Sequence, residues 1–350
     1  MRRARCNVHA GFPAVRYLHR MDPARLRRVA VSFRTPPPLR SAIEDVLTPM
    51  SSLTFLPGLD ESERLQALHS AEALMAWHPA REVSTSELGA APRLKLIQLL
   101  SAGADQVRFG DIPEPVTVAS NVGAFAEPMA EHVVAMALAL AKKLPQKHAE
   151  MAGGRFNQRP PTRRIAGLTC GILGLGGIGK ATAILMRALG TSIHALNTSG
   201  TTDQEVDFIG TLADLDDVLC RSDVVVIALP LTKGTRGLIG RRELGLMKPD
   251  AILINVARGA VLEQEALYDH LRANPDFAAG IDAWWGEPFG GSEFRVDFPF
   301  FELRNVLGSP HNSAIVPGIE AAAGRRAAEN VARFLGGEYL TGVVRSEDYE

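Results

Sequence analysis

Three side chains in the last third of the sequence form a set suited to one kind of chemistry: Arg258, Glu287 and His311. A guanidinium clamps a carboxylate through paired N–H donors and polarises a neighbouring carbonyl. A histidine can deliver a proton to that carbonyl oxygen as a hydride reaches the carbon, because its pKa lies near neutrality. A nearby carboxylate raises that pKa and fixes the tautomer. Together they suit reduction of a small 2-oxo acid, or oxidation of the 2-hydroxy acid with neutral histidine as base. Each has a plainer reading: Arg258 could cap a loop, Glu287-Pro288 could be a turn, and His311 after Pro310 could be a satisfied loop histidine.

A hydride needs a carrier, and residues 174–179 (GLGGIG) supply the place for one. The segment follows an apolar run, 169–173, and opens a helical stretch, 180–189, as in the dinucleotide-binding fingerprint. Gly174 would allow the tight turn, Gly176 would let the backbone approach the pyrophosphate, and Gly179 would permit close helix–strand packing. Gly177 and Ile178 would sit at the helix N-terminus with its unpaired N–H groups. NAD-specific sites carry an acid about twenty residues further on, where it binds the ribose hydroxyls and repels a 2′-phosphate. This chain has Asn197-Thr198-Ser199 there. NADP(H) is then not excluded and is favoured, although no arginine follows to hold the phosphate.

The elements that must position these groups are legible between 168 and 310, where β-branched runs alternate with helical stretches. Six strands are expected, at 169–173, 191–196, 224–229, 251–256, 277–283 and 305–307, in a doubly wound parallel sheet of the Rossmann kind. Ligands of such sheets bind beyond the carboxyl ends of the strands, which is where Arg258, Glu287 and His311 fall. Upstream, 29–33, 73–77, 94–100 and 116–119 suggest a second, smaller α/β unit without a phosphate loop. A helical stretch at 124–144 would link the halves, and one at 317–335 would run back to pack on the first. The expected division is an amino-terminal extension at 1–20, a discontinuous flavodoxin-like substrate domain at 21–122 and 316–350, and a dinucleotide domain at 123–315.

Composition narrows the partners. In 350 residues, 46% are hydrophobic and the net charge is −1, so neither a nucleic-acid binder nor an acidic tail is indicated. The longest apolar run, 133–141, falls short of the ~20 residues that cross a bilayer. Cys6, Cys170 and Cys220 lie far apart and form no CxxC pair, which fits a reducing, cytoplasmic setting and suggests no metal site. Arg2, Arg3, Arg5, Arg16 and Arg20 stand unopposed by acids without an apolar block, which suggests an extension before a natural start at Met21.

Gly174 to Gly179, Asn255-Val256-Ala257-Arg258-Gly259, Asp282 with Glu287-Pro288, and Ser309-Pro310-His311 occur in one order and spacing. In these motifs the chain resembles the D-isomer-specific 2-hydroxyacid dehydrogenase family, from about Leu94 to about Phe334. The resemblance implies Arg258 as the carboxylate clamp, His311 as acid/base and Glu287 as its partner. It further implies that the loop at Ser101, Ala102 and Gly103 offers backbone amides to the substrate carboxylate. Val256, Ala257 and Asp282 would lie toward the nicotinamide, while Leu229, Pro230 and Thr235 would line the cofactor cleft. A homodimer through the 124–144 helix is also implied. Asn197 and Trp284-Trp285 depart from the usual pattern; the second tryptophan could shape the pocket or pack. Formate dehydrogenases of the superfamily carry glutamine in place of Glu287, which argues against that activity. No regulatory domain is expected after Phe334, which removes a feature of many phosphoglycerate dehydrogenases without excluding phosphoglycerate itself; glyoxylate, hydroxypyruvate and bulkier 2-oxo acids all stay open. A different class stays open: a non-enzymatic NAD(H)-sensing binding protein on the same fold.

Overall fold

Val224, Val225, Val226 and Ile227 are each fully buried, as a strand must be when helices cover both faces of a parallel sheet. Burying one such side chain stabilises the fold by roughly 1.5–3 kcal/mol, so four in a row fix the centre of the sheet. The computed structural model describes residues 26–159, 161–288 and 293–349. The expected extension at 1–20 and the start at Met21 lie outside them.

The first half runs β1 (Arg27–Val31), α1 (Pro37–Leu47), β2 (Ser51–Phe55), α2 (Glu61–Ser70), β3 (Ala73–Ala76), α3 (Pro79–Glu82), α4 (Thr85–Gly89), β4 (Leu96–Leu99) and β5 (Thr117–Ala119). Its five strands are parallel in the order β2-β1-β3-β4-β5, the flavodoxin-like winding. The second half runs α5 (Ala126–Ala141), α6 (Leu144–Ala152), β6 (Thr169–Leu173), α7 (Gly177–Ala188), β7 (Ser192–Leu196), β8 (Phe208–Gly210), α8 (Leu215–Arg221), β9 (Val224–Ile227), α9 (Arg241–Leu246), β10 (Ile252–Asn255), α10 (Gln264–Ala273), β11 (Ala278–Ile281) and β12 (Val306–Gly308). These seven strands are parallel in the order β12-β11-β10-β9-β6-β7-β8, a doubly wound sheet that reverses direction between β6 and β9.

Two strands escape the sequence reading. Both β2 and β8 are edge strands: β2 begins with two serines, and β8 is three residues long, its first two half-exposed, and paired only to β7. The helix expected over 124–144 also divides. Lys143 takes a left-handed φ of 52°, and Pro145 cannot continue α5, so its ring starts α6 instead.

After β12 the chain returns to the first sheet through α11 (Ile319–Gly336). Ala323, Ala327, Ala328 and Val331 of α11 pack with Leu39, Ile43 and Leu47 of α1 in one core. At Gly324 an added Cβ would strike Leu39, so the absence of a side chain sets the closeness of the two helices.

Candidate active site

Asn255, Ile281 and Gly308 stand side by side at the carboxyl ends of β10, β11 and β12. Arg258, Glu287 and His311 sit in the loops that follow these three ends. Buried Asn255 shapes the first loop, accepting from the Ala257 N–H at 3.0 Å and donating Nδ2 to the Arg258 carbonyl at 3.0 Å. Arg258 then reaches toward the first sheet. Its Nε donates to Asp105 Oδ2 at 3.1 Å, Nη2 lies 3.1 Å from Asp105 Oδ1, and Nη1 donates to the Ala257 carbonyl at 2.8 Å. Gly103 leaves room for this pair, since a Cβ there would lie 2.5 Å from Arg258 Nη2. Ala102, beside it, is half-buried in the loop that Ser101 closes by donating its hydroxyl to the Gly103 carbonyl at 2.8 Å.

His311 Nδ1 lies 2.7 Å from Glu287 Oε1, and the Trp284 N–H donates to the same oxygen at 2.8 Å. A carboxylate only accepts, so the histidine donates to it from Nδ1. The histidine backbone is unusual, with φ at 51°. Such a conformation persists only where the surroundings enforce it. Asp282 supplies that constraint: its carbonyl accepts the His311 N–H at 3.0 Å, and its carboxylate accepts the N–H groups of Asn312 at 3.1 Å and Ser313 at 3.3 Å. The Ser309 hydroxyl donates to Asp282 Oδ1 at 2.5 Å, with His132 Nε2 at 2.9 Å from that hydroxyl. Burial works against the charged form of Asp282, but the hydrogen bonds from Ser309 and Ser313 and the charges of His132 and His311 outweigh it. Its pKa falls below the ordinary aspartate value. Asp282 is fully buried, so its carboxylate serves the interior of this loop and not the surface.

The two tryptophans separate. Trp284 is buried and donates Nε1 to the Ser309 carbonyl at 2.8 Å, tying the Glu287 loop to the His311 loop. Trp285 donates Nε1 to the Leu262 carbonyl at 2.7 Å and stacks on Phe300 with ring centroids 5.5 Å apart. It is half-buried and packs against the core of the large sheet.

The glycines of the 174–179 loop differ in environment. Gly174 has φ +102°, and a Cβ there would lie 2.7 Å from the Ala228 carbonyl oxygen. At Gly179 a Cβ would strike the Gly174 carbonyl. Gly176 has open space on that side and caps α7, leaving room for a ligand over the helix N-terminus. Gly177 packs on Gly123, and Ile178 is half-buried against the second core. The arrangement fits a dinucleotide pyrophosphate at Gly176.

At the end of β7, Asn197 closes its own loop. Its Oδ1 accepts the N–H groups of Ser199 at 3.1 Å and Gly200 at 2.7 Å, and Nδ2 donates to the Thr201 carbonyl at 2.7 Å; Thr198 and Ser199 are exposed. Beyond β9, Thr235 is buried, with its hydroxyl donating to the Pro230 carbonyl at 2.6 Å, while Leu229 packs against the core. Val256 and Ala257 are buried where β10 ends.

A family description, "D-isomer specific 2-hydroxyacid dehydrogenase, NAD binding domain", matches residues 134–313, just over half of the chain. The chain belongs to this family. It is 29% identical over 310 residues to the D-3-phosphoglycerate dehydrogenase of Methanocaldococcus jannaschii, covering 88% of this chain but 58% of the relative. It is 29% identical over 295 residues to the glyoxylate reductase of Thermococcus kodakarensis, covering 81% of this chain and 86% of the relative. The chain thus spans a little over half the length of the phosphoglycerate dehydrogenases it matches. A crystal structure of the D-isomer specific 2-hydroxyacid dehydrogenase from Xanthobacter autotrophicus Py2, in complex with NADPH and MES, superposes with a TM-score of 0.76 at 26% identity. It covers 93% of this chain and all of that one.

Beside these family motifs stand residues that the sequence did not single out. Asp105 is the foremost; an acid two positions after the 101–103 loop was the only signal, and nothing local pairs it with Arg258. His78, which follows β3, is hydrogen-bonded by the Gln106 side chain and lies within the field of Asp105. Burial is the main influence pushing its pKa below the usual histidine value, so the ring is neutral at pH 7. Glu82 fixes that loop by accepting the N–H groups of Trp77 at 3.0 Å and His78 at 2.7 Å. Among the described residues, no group of three or more His, Cys, Asp or Glu side chains converges as a metal site would, and no helix is long and apolar enough to cross a membrane.

Proposed function

We propose that this chain is an NAD(P)-dependent oxidoreductase that interconverts a small 2-oxo acid and its D-2-hydroxy acid. The observation that carries this reading is the His311–Glu287 pair, 2.7 Å apart, standing at neighbouring strand ends with an arginine already oriented by Asp105. When bound, the nicotinamide cofactor supplies or accepts the hydride. Arg258 grips the substrate carboxylate with the N–H groups that Asp105 does not engage, and the amides around Ala102 and Gly103 add donors to the same group. His311 Nε2 gives its proton to the carbonyl oxygen during reduction and takes it back during oxidation. Glu287 holds the ring in place through its contact with Nδ1. Gly174, Gly176, Gly177, Ile178 and Gly179 receive the pyrophosphate, while Leu229, Pro230, Thr235, Val256, Ala257 and Asp282 line the cleft towards the nicotinamide.

The neutral segment Asn197-Thr198-Ser199 supports acceptance of NADP(H), and the NADPH carried by the Xanthobacter relative is in keeping with that. A homodimer in the cytoplasm completes the proposal. Glyoxylate and hydroxypyruvate are the first substrates to try, by analogy with the glyoxylate reductases.

The test follows loss of reduced-nicotinamide absorbance with NADPH and NADH in parallel against glyoxylate, hydroxypyruvate, pyruvate and longer 2-oxo acids. Turnover of one or more acids, reduced ~100-fold or more by His311→Ala with cofactor affinity kept, is the expected result. Tight cofactor binding with no turnover of any acid would instead favour a nicotinamide-sensing protein.

A further inference from the structure

Segment 341–349 follows α11 and joins the two halves of the molecule, touching Phe109 just past the loop that carries Asp105 and Lys233 in the loop that follows β9. Buried Asn330 of α11 starts it, accepting the Thr341 N–H at 3.0 Å and donating to the Thr341 carbonyl at 2.9 Å. The segment then runs antiparallel along β5. Ser120 N–H donates to the Gly342 carbonyl at 2.8 Å, Val343 bridges Ala119, and Val344 N–H donates to the Val118 carbonyl at 2.9 Å. Gly342 is required there, because its φ is +72° and a Cβ would strike the Ser120 carbonyl. At its far end the segment crosses to the second half, where the Asp348 carbonyl accepts the Lys233 N–H at 2.9 Å. Tyr349 lies against Phe109 with ring centroids 5.4 Å apart, four positions beyond Asp105.

We propose that Tyr349 is a specificity-determining residue, a wall set beside the Arg258–Asp105 clamp that limits the size of the group carried by the 2-oxo acid. The inference rests on the function proposed above and concerns the same site. An anchored segment places the ring: backbone bonds to β5 hold one end and the Lys233 contact holds the other, so the backbone carrying the half-buried phenol is fixed, and the ring packs on Phe109. Burial and the negative charge of Asp105 push the phenol pKa up, and Arg258 acts in the opposite direction, so the ring lies within the field of both clamp residues. At neutral pH it is an uncharged wall with a hydroxyl donor. An aromatic at this place leaves little room for a branched chain on the substrate. One methylene of misfit in a pocket is worth 10–200-fold in discrimination.

The experiment measures kcat/KM of the full chain for glyoxylate and for 2-oxo-4-methylpentanoate, in wild type, Tyr349→Ala, Tyr349→Trp and Tyr349→Phe, together with cofactor affinity. The ratio of the branched acid to glyoxylate should rise about tenfold or more in Tyr349→Ala and fall in Tyr349→Trp. Tyr349→Phe should keep the wild-type size ranking, and cofactor affinity should stay constant throughout. A wild-type enzyme that turns over these acids, with the same ratio in both the Ala and Trp variants, overturns the role of Tyr349 alone. A wild type that reduces no 2-oxo acid overturns the functional reading and this inference with it. The two opposite substitutions keep the test decisive if one of them folds poorly.

Discussion

Arg258 and Asp105 form a two-point ion pair between the halves of the molecule, with Nε 3.1 Å from Oδ2 and Nη2 3.1 Å from Oδ1. The guanidinium is therefore oriented before any substrate arrives. Ordering a long side chain on binding costs about 0.5–1.5 kcal/mol. Asp105 meets that cost during folding.

Asp105→Ala should therefore raise KM for a 2-oxo acid up to about tenfold, the equivalent of about 1.4 kcal/mol, with a smaller change in kcat and none in cofactor affinity. Steady-state kinetics on the variant check this. An unchanged KM would show that the pair does not orient the clamp.

Asp282 predicts an acid-dependent stability. Its pKa is lower in the folded chain than the ordinary 3.8, so the unfolded chain binds the proton more readily. The stability it contributes is therefore complete above the unfolded value and is lost as pH falls through the lower folded one. Asp282→Asn should cost about 1–3 kcal/mol at pH 7, and the gap in Tm between variant and wild type should close as the pH drops below about 4. Melting curves between pH 3 and pH 7 decide it, and a gap that stays constant over that range would refute the assignment.

Two neighbouring glycines should respond differently to alanine. At Gly179 a methyl collides with the Gly174 carbonyl, so Gly179→Ala should lower Tm by several degrees. At Gly176 a methyl meets open space on the protein side. Gly176→Ala should leave Tm close to wild type yet weaken cofactor binding about tenfold or more, as titration of the reduced cofactor would report. Equal loss of Tm in both variants would argue against a ligand over Gly176.

Asn197→Asp should restore the acid that repels a 2′-phosphate. Its Oδ atoms can still accept from Ser199 and Gly200, so the turn survives even though the bond to the Thr201 carbonyl is lost. KM for NADPH should rise about tenfold or more relative to KM for NADH. A ratio that does not move would place the phosphate discrimination elsewhere.

Much of the fold was legible because a parallel sheet covered on both faces writes its strands as continuous apolar runs, as at 224–227 and 252–255. The edge strands β2 and β8 were not, because one flank of an edge is unpaired and its residues need not be apolar. Lys143 ended α5 early through a backbone conformation that no periodicity marks.

The sequence by itself determined the chemistry on offer. Short motifs carry their own context, so the 174–179 loop, Arg258, Glu287 and His311 could be read from local order along the chain. It also determined that Asn197 stands where an acid is usual. Only the tertiary structure decided how these groups are held. Asp105 lies 153 positions from Arg258, and Asn330 of α11 steers residues 341–349 back along β5 and across to Lys233. Pairings of that kind arise when loops of two separate sheets meet and a returning helix carries the chain between them. Their specificity resides in distances across the fold, which the order of residues along the chain does not express.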